Sequence, residues 1–190
     1  MGKRILLLLA LLAGFTLSGF AQSSTIGNFN LGVYGALPLN NMKQIFDAGV
    51  GGSLKYEYHL RKFYFIKSLD LTLESGYETF AAKVPLQSVE VKSTYGYVPV
   101  KIGAKYYILS GLYAEMQAGI TYYTMHGGGH AFDYSPGIGY SFNSGFEVGL
   151  RYEEWKQNPE NHIPGQFGQS GPFTTPSNFS QLALRLAERF

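Results

Sequence analysis

The chain contains no cysteine in its 190 residues, which excludes a disulfide framework and any lipid attached through a thiol. Beyond Leu17 it also lacks an apolar run approaching the roughly 18 residues of a spanning helix. A membrane could therefore be crossed only by strands closed into a barrel, where every backbone group pairs with a neighbouring strand. An excess of charge of either sign is missing as well. The chain has 15 basic and 13 acidic residues, and removing Lys3 and Arg4 leaves 13 of each. So balanced a chain has no electrostatic case for nucleic acid. What it does have is glycine (24), tyrosine (15) and phenylalanine (14), a composition of strands with many close backbone approaches.

The first residues read as an address. Met1-Gly2-Lys3-Arg4 is a short basic region, residues 5–17 form a nearly continuous apolar run, and Ser18-Gly19-Phe20-Ala21 supplies small residues before Gln22. That order predicts a secretory signal cleaved near Ala21, because the run is too short to span hydrocarbon. Residues 1–21 are expected to be removed and residues 22–190 to form one exported domain.

Alternation carries the fold. Val98, Val100, Ile102, Ala104, Tyr106 and Ile108 interleave with Tyr97, Pro99, Lys101, Gly103, Lys105 and Tyr107. After Leu109-Ser110-Gly111, the apolar series Leu112, Ala114, Met116, Ala118, Ile120 and Tyr122 interleaves with Tyr113, Glu115, Gln117, Gly119, Thr121 and Tyr123. Successive side chains of a strand point to opposite faces, so each strand has one apolar face and one of charge, glycine and tyrosine. The same pattern predicts further strands at 29–37, 50–60, 69–79, 132–142, 145–153 and from Leu182 to the chain end. Pro136 stands out within its strand, since proline cannot donate to a ladder and usually marks a bulge or an edge.

The connections alternate between longer and shorter, with residues 38–49, 80–96 and 154–177 long and 109–111 and 143–144 very short. Short turns on one side and longer loops on the other suit a membrane barrel, and an even strand count puts both chain ends on the periplasmic side. Aromatic rings also sort by depth. Tyr56, Tyr58, Tyr106, Tyr140, Phe142, Phe146 and Phe190 lie near one end of their strands. Tyr77, Phe80, Tyr95, Tyr122, Phe132, Tyr134, Tyr152 and Trp155 lie near the other. Two girdles with aliphatic residues between them are expected of a barrel in lipid, whereas a soluble ligand-binding barrel has no reason to sort residues by depth. The expected fold is an all-β, eight-stranded antiparallel up-and-down transmembrane β-barrel.

With its Tyr97-Val98-Pro99-Val100-Lys101 segment, its strand over 112–123 and its C-terminal alternation, the chain resembles the small outer-membrane β-barrel family. This is the eight-stranded OmpX and OmpA-transmembrane type, also called the porin family, and the likeness covers residues 22–190. The resemblance implies a Gram-negative cell envelope, outer-membrane lipid as surroundings and a monomer. It further implies recognition by the barrel-assembly machinery through Phe190, Leu186, Leu184 and Leu182, an alternation from which Glu188 departs.

The polar face carries Lys55, Glu57, Asp70, Glu74, Glu78, Lys101, Lys105, Glu115, Glu147, Arg151, Glu153 and Arg185. Eight strands leave room inside for side chains or at most one small ligand, so these charges are expected to pair across the lumen. The function expected is structural or interactive, with loops exposed to a surface ligand or protein partner. The alternative is a narrow passive porin-like channel for small solutes or ions. Neither catalysis nor a cofactor is expected. The histidines are His59, His126, His130 and His162, and no histidine-x-serine motif of an outer-membrane deacylase is present. His126 and His130 flank Gly127-Gly128-Gly129, which will not hold a helix, so a loop rather than a metal clip is expected there.

Overall fold

Two-residue alternation becomes eight long strands of 12 to 14 residues in the computed structural model. They are β1 (Gly27–Leu39), β2 (Phe46–His59), β3 (Leu69–Ala82), β4 (Thr94–Tyr107), β5 (Leu112–Tyr123), β6 (Gly129–Ser141), β7 (Phe146–Gln157) and β8 (Asn178–Arg189). A single helical turn, α1 (Met42–Ile45), lies between β1 and β2. The structure describes residues 26–60, 68–82, 94–124, 129–157 and 178–190. The expected signal segment, His126, His162 and most of the expected outer loops lie outside these residues.

The strands pair in chain order, all antiparallel, and β8 closes back on β1. Stepping across the ladders from Phe29 leads through Tyr56, Leu73, Ile102, Ala118, Tyr134, Glu154 and Ser180. The last step returns to β1 at Leu39 rather than Phe29, a stagger of ten residues. Closure with such a stagger tilts strands by roughly 35–45° to the axis, which shortens the height each long strand must cover.

The two faces differ as the alternation requires. Ile102 is 67 % exposed and its neighbour Lys101 is 0 % exposed. Aliphatic side chains cover the outside, and charged and polar ones fill the inside. A molecule that exposes its leucines and buries its lysines is built for lipid rather than water.

Several expected boundaries move outward. The long first connection contracts, because β1 runs on to Leu39 and β2 begins at Phe46, leaving α1 and its flanks between them. A register shift between Phe46 and Gly49 marks where β2 enters the ladder. His130 belongs to β6, with its ring 6.3 Å from that of Tyr122, and is no part of a loop. Pro136 neither bulges nor ends its strand. The β6–β7 pairing skips Ser135 and Pro136, and the register is the same on either side. Pro99 does the same between β3 and β4. The short turns close with Gly111 and Gly145 at φ values of 86° and 97°, a region open to glycine without a Cβ clash.

Candidate functional site in the barrel lumen

All twelve charged residues of the polar face point inward, and the structure places them in stacked layers along the lumen. At the end of the barrel that carries the short turns, His59 Nδ1 lies 2.9 Å from Asp70 Oδ1, and its Nε2 is 3.0 Å from the Asn28 side-chain nitrogen. No serine joins this line among the described residues. In the next layer Lys105 Nζ donates to Glu57 at 2.9 Å and also to Glu147, and it sits 4.1 Å from the centre of the Tyr113 ring. Lys55 Nζ donates to both oxygens of Glu115 at 2.9 Å. Arg185 donates to Ser53 at 2.9 Å and to Asn30 Oδ1 at 2.8 Å, with Glu74 and Glu147 within 4 Å.

The next layer outward is built on β3, β4, β6, β7 and β8. Arg151 Nη1 donates to Glu74 at 2.8 Å, and its Nε faces Glu153. Lys101 Nζ donates to Glu153 at 2.7 Å and to Ser135 at 3.2 Å, with Asp133 at 3.7 Å. Gln181 Nε2 donates to Glu153 at 2.6 Å and to Glu78 at 3.1 Å. Most of these pairs join strands that are not neighbours: β2 with β5, β4 with β7, β3 with β7. They cross the bore rather than run along its wall. Among the described residues no group of three or more His, Asp or Glu side chains is arranged to hold a metal ion.

Above the charges sits a plug of rings. Phe80 and Trp155, expected in the outer girdle, are 0 % and 1 % exposed and turn into the lumen. Tyr95 joins them there, packed against Phe46 with ring centres 5.3 Å apart. The correction is one of parity. Phe80 follows Glu78 by two residues and Trp155 follows Glu153 by two, so both inherit the inward face of their strands. Tyr97 completes the cluster, 5.8 Å from Phe80 and 4.8 Å from Trp155 between centres. Met42 of α1 is fully buried against these rings, so the first connection folds back over the mouth of the barrel.

Glycines on β2 make room for this packing. A Cβ on Gly49 would stand 2.3 Å from the Phe80 ring, and one on Gly51 would stand 2.5 Å from Tyr34. Phe46, Met42, Asp133, Gln117 and Gln181 join the lumen beyond the twelve expected charges. Asp133 and Gln117 are legible in the sequence, since both fall on polar faces of their strands.

The C-terminal alternation lies where the seam closes. Leu182, Leu184 and Leu186 face outward on β8, and the Phe190 backbone N–H donates to Phe29 O at 2.7 Å. The outer girdle keeps Tyr77, Tyr122, Phe132, Tyr134 and Tyr152, the last two donating their hydroxyls to Glu154 at 2.6 and 3.0 Å.

Comparison with known proteins agrees with this geometry. Ail, the attachment invasion locus protein of Yersinia pestis, crystallised with the heparin analogue sucrose octasulfate, superposes with a TM-score of 0.54. At 13 % identity the match covers 86 % of this chain and 97 % of Ail. Ail in a phospholipid bilayer nanodisc also has a TM-score of 0.54 at 12 % identity, covering 86 % of this chain and 99 % of that one. The N-terminal β-barrel domain of Pseudomonas aeruginosa OprF reaches 0.52 at 13 % identity, with 86 % and 99 % covered. No curated protein matches the sequence. At such identities the likeness is one of fold. Residues 7–177 match the family described as the outer membrane protein beta-barrel domain. A lipid-facing aliphatic wall around a charged lumen, read together with that match, makes this chain a member of the outer-membrane β-barrel protein family.

Proposed function

We propose that this outer-membrane protein is a structural and interaction barrel rather than a pore. On this reading residues 1–21 direct export and are cleaved near Ala21. The β8 strand with Phe190 then presents the chain to the barrel-assembly machinery, and the monomer stands in lipid with its longer loops outside. The observation that carries the reading is double closure of the lumen. A cross-strand layer of ion pairs centred on Lys101, Glu153 and Arg151 blocks the bore, and the Met42–Phe80–Trp155 plug seals its outer end. Solute would have to break buried ion pairs, whose disruption costs several kcal/mol (about 3–5 per pair), and also displace packed rings. The loops expected over residues 80–95 and 155–176, most of which lie outside the described residues, are then the candidates for meeting a ligand or a protein partner. The heparin analogue bound by Ail gives a precedent on the same fold for ligand binding by such a barrel.

The test is electrical. Purified, folded protein added to a planar lipid bilayer is expected to leave the current trace flat. Reproducible unitary conductance steps from the monomer would overturn the closed-barrel reading in favour of a narrow channel.

A further inference from the structure

Eight carboxylates and five ammonium or guanidinium groups face the described lumen. Protonating His59 and adding Arg189, which donates to Ser141 at the periplasmic end, still leaves one carboxylate over. The surplus has an address. Seven of the eight carboxylates touch a basic side chain, and Glu78 touches none among the described residues.

Glu78 is fully buried, and its Oε1 has no partner. Its Oε2 accepts from Gln181 Nε2 at 3.1 Å, but that same nitrogen is held more closely by Glu153, at 2.6 Å. The amide oxygen of Gln181 is itself without a donor. A third oxygen reaches the same layer independently. Tyr34 is 4 % exposed, its hydroxyl has no partner, and that hydroxyl lies 2.8 Å from where a Gly51 Cβ would be. Gly51 is the register partner of Glu78 on β2, so the bare glycine lets the phenol lean toward the carboxylate.

The surrounding charges are already committed. Lys101 of β4 holds Glu153 of β7 at 2.7 Å and Asp133 of β6 at 3.7 Å. Arg151 holds Glu74 of β3 at 2.8 Å and faces Glu153 as well. On the outer side stand Tyr97 and, 5.3 Å from it, Tyr123 of β5, whose rings bring no positive charge. A buried water could satisfy three orphan oxygens, but it would bring no positive charge to a layer whose Lys101 and Arg151 are already in contact with Glu74, Asp133 and Glu153, and a buried anion that no cation contacts is costly.

We infer that Glu78, with the side-chain oxygens of Gln181 and Tyr34, takes up one positive charge from solution, a proton or an alkali-metal ion, beneath the aromatic plug. One carboxylate with two neutral oxygens is a hard, singly charged donor set, suited to such a cation rather than to a transition metal. Nothing in this layer depends on what the outer loops bind.

Thermal unfolding of the full chain in phospholipid nanodiscs, followed by heat-dependent gel mobility, tests the site. Sodium chloride is compared with N-methylglucamine chloride at equal ionic strength, and acid with alkaline buffer at fixed sodium. A cation held only by the folded barrel stabilises it by mass action, so the wild-type midpoint is expected to shift by a few degrees. A rise with sodium identifies the alkali ion. A rise with acid, lost as the pH increases, identifies the proton. Glu78→Gln keeps the shape without the charge and is expected to remove whichever response appears. Indifference of the wild type to both variables, or a variant that responds as the wild type does, overturns the site. Should the variant fail to insert, carboxyl signals of 13C-glutamate-labelled wild-type protein decide instead. One buried signal must move with sodium or pH; every signal holding the ordinary carboxylate position throughout defeats the inference.

Discussion

A methyl group meets opposite fates at Gly49 and Gly35. On Gly49 it would sit 2.3 Å from a Phe80 ring carbon, in a cluster where Phe46, Tyr97 and Trp155 hold that ring from other sides. On Gly35, which faces outward from β1, it would meet nothing within 4 Å. Gly49→Ala is therefore expected to destabilise the barrel by about 1–3 kcal/mol, the range for forcing volume into a packed core. Gly35→Ala should stay within about 0.5 kcal/mol of wild type, as surface changes do. Trp155 is the chain's one tryptophan and lies in the plug, so its fluorescence follows urea unfolding of both variants. Equal stabilities would mean that Phe80 does not rest on Gly49 as placed. The residue scale also explains which members of the site escape sequence reading. Alternation assigns Lys101 and Glu153 to inward faces, but it cannot say that they meet. They lie on β4 and β7, and only closure of the barrel with its particular stagger brings Nζ to within 2.7 Å of the carboxylate.

On the closed-barrel reading proposed above, the elements divide the work of closing the bore between two mechanisms, and α1 makes them separable. Met42 is the buried residue of this helical turn, and it packs on the outer surface of the ring cluster. Met42→Gly would remove that contact without touching the ion pairs below. Acrylamide quenching of Trp155 is expected to increase, while planar-bilayer recordings remain flat because Lys101, Arg151 and Glu153 still cross the lumen. Quenching equal to wild type would show that α1 does not shield the plug. How far such elements can be read in advance depends on how pure their pattern is. β5 is expected over residues 112–123 and forms over Leu112–Tyr123, because its alternation is unbroken and a glycine turn precedes it. The start of β2 is hidden because Phe46-Asp47-Ala48-Gly49 lacks clean alternation and includes a register shift. Phe80, Tyr95 and Trp155 go astray for a different reason. Depth along a strand places a ring near the interface, but parity decides whether it meets lipid or lumen, and here parity wins.

For the whole molecule the decisive event is closure, and β8 performs it. Ten register pairs join β8 to β1, from Asn30 with Arg189 to Leu39 with Ser180. Phe190 lies just past that ladder and adds one backbone hydrogen bond, 2.7 Å to Phe29 O. Such a bond contributes about 1 kcal/mol net, a small part of a seam this long. Deleting Phe190 should therefore cost the purified barrel little, and the shortened chain is expected to refold in detergent nearly as well as wild type. If the terminal ring is read during assembly, the same deletion should sharply lower the amount of folded protein in the outer membrane of cells, with unfolded chain accumulating in the periplasm. Phe190→Tyr keeps an aromatic terminus and is expected to assemble normally. The contrast between the two settings separates recognition from stability, since a purely structural role would depress both to the same small extent. Normal cellular assembly of the deletion variant would remove Phe190 as an assembly signal and leave β8 with closure as its whole task.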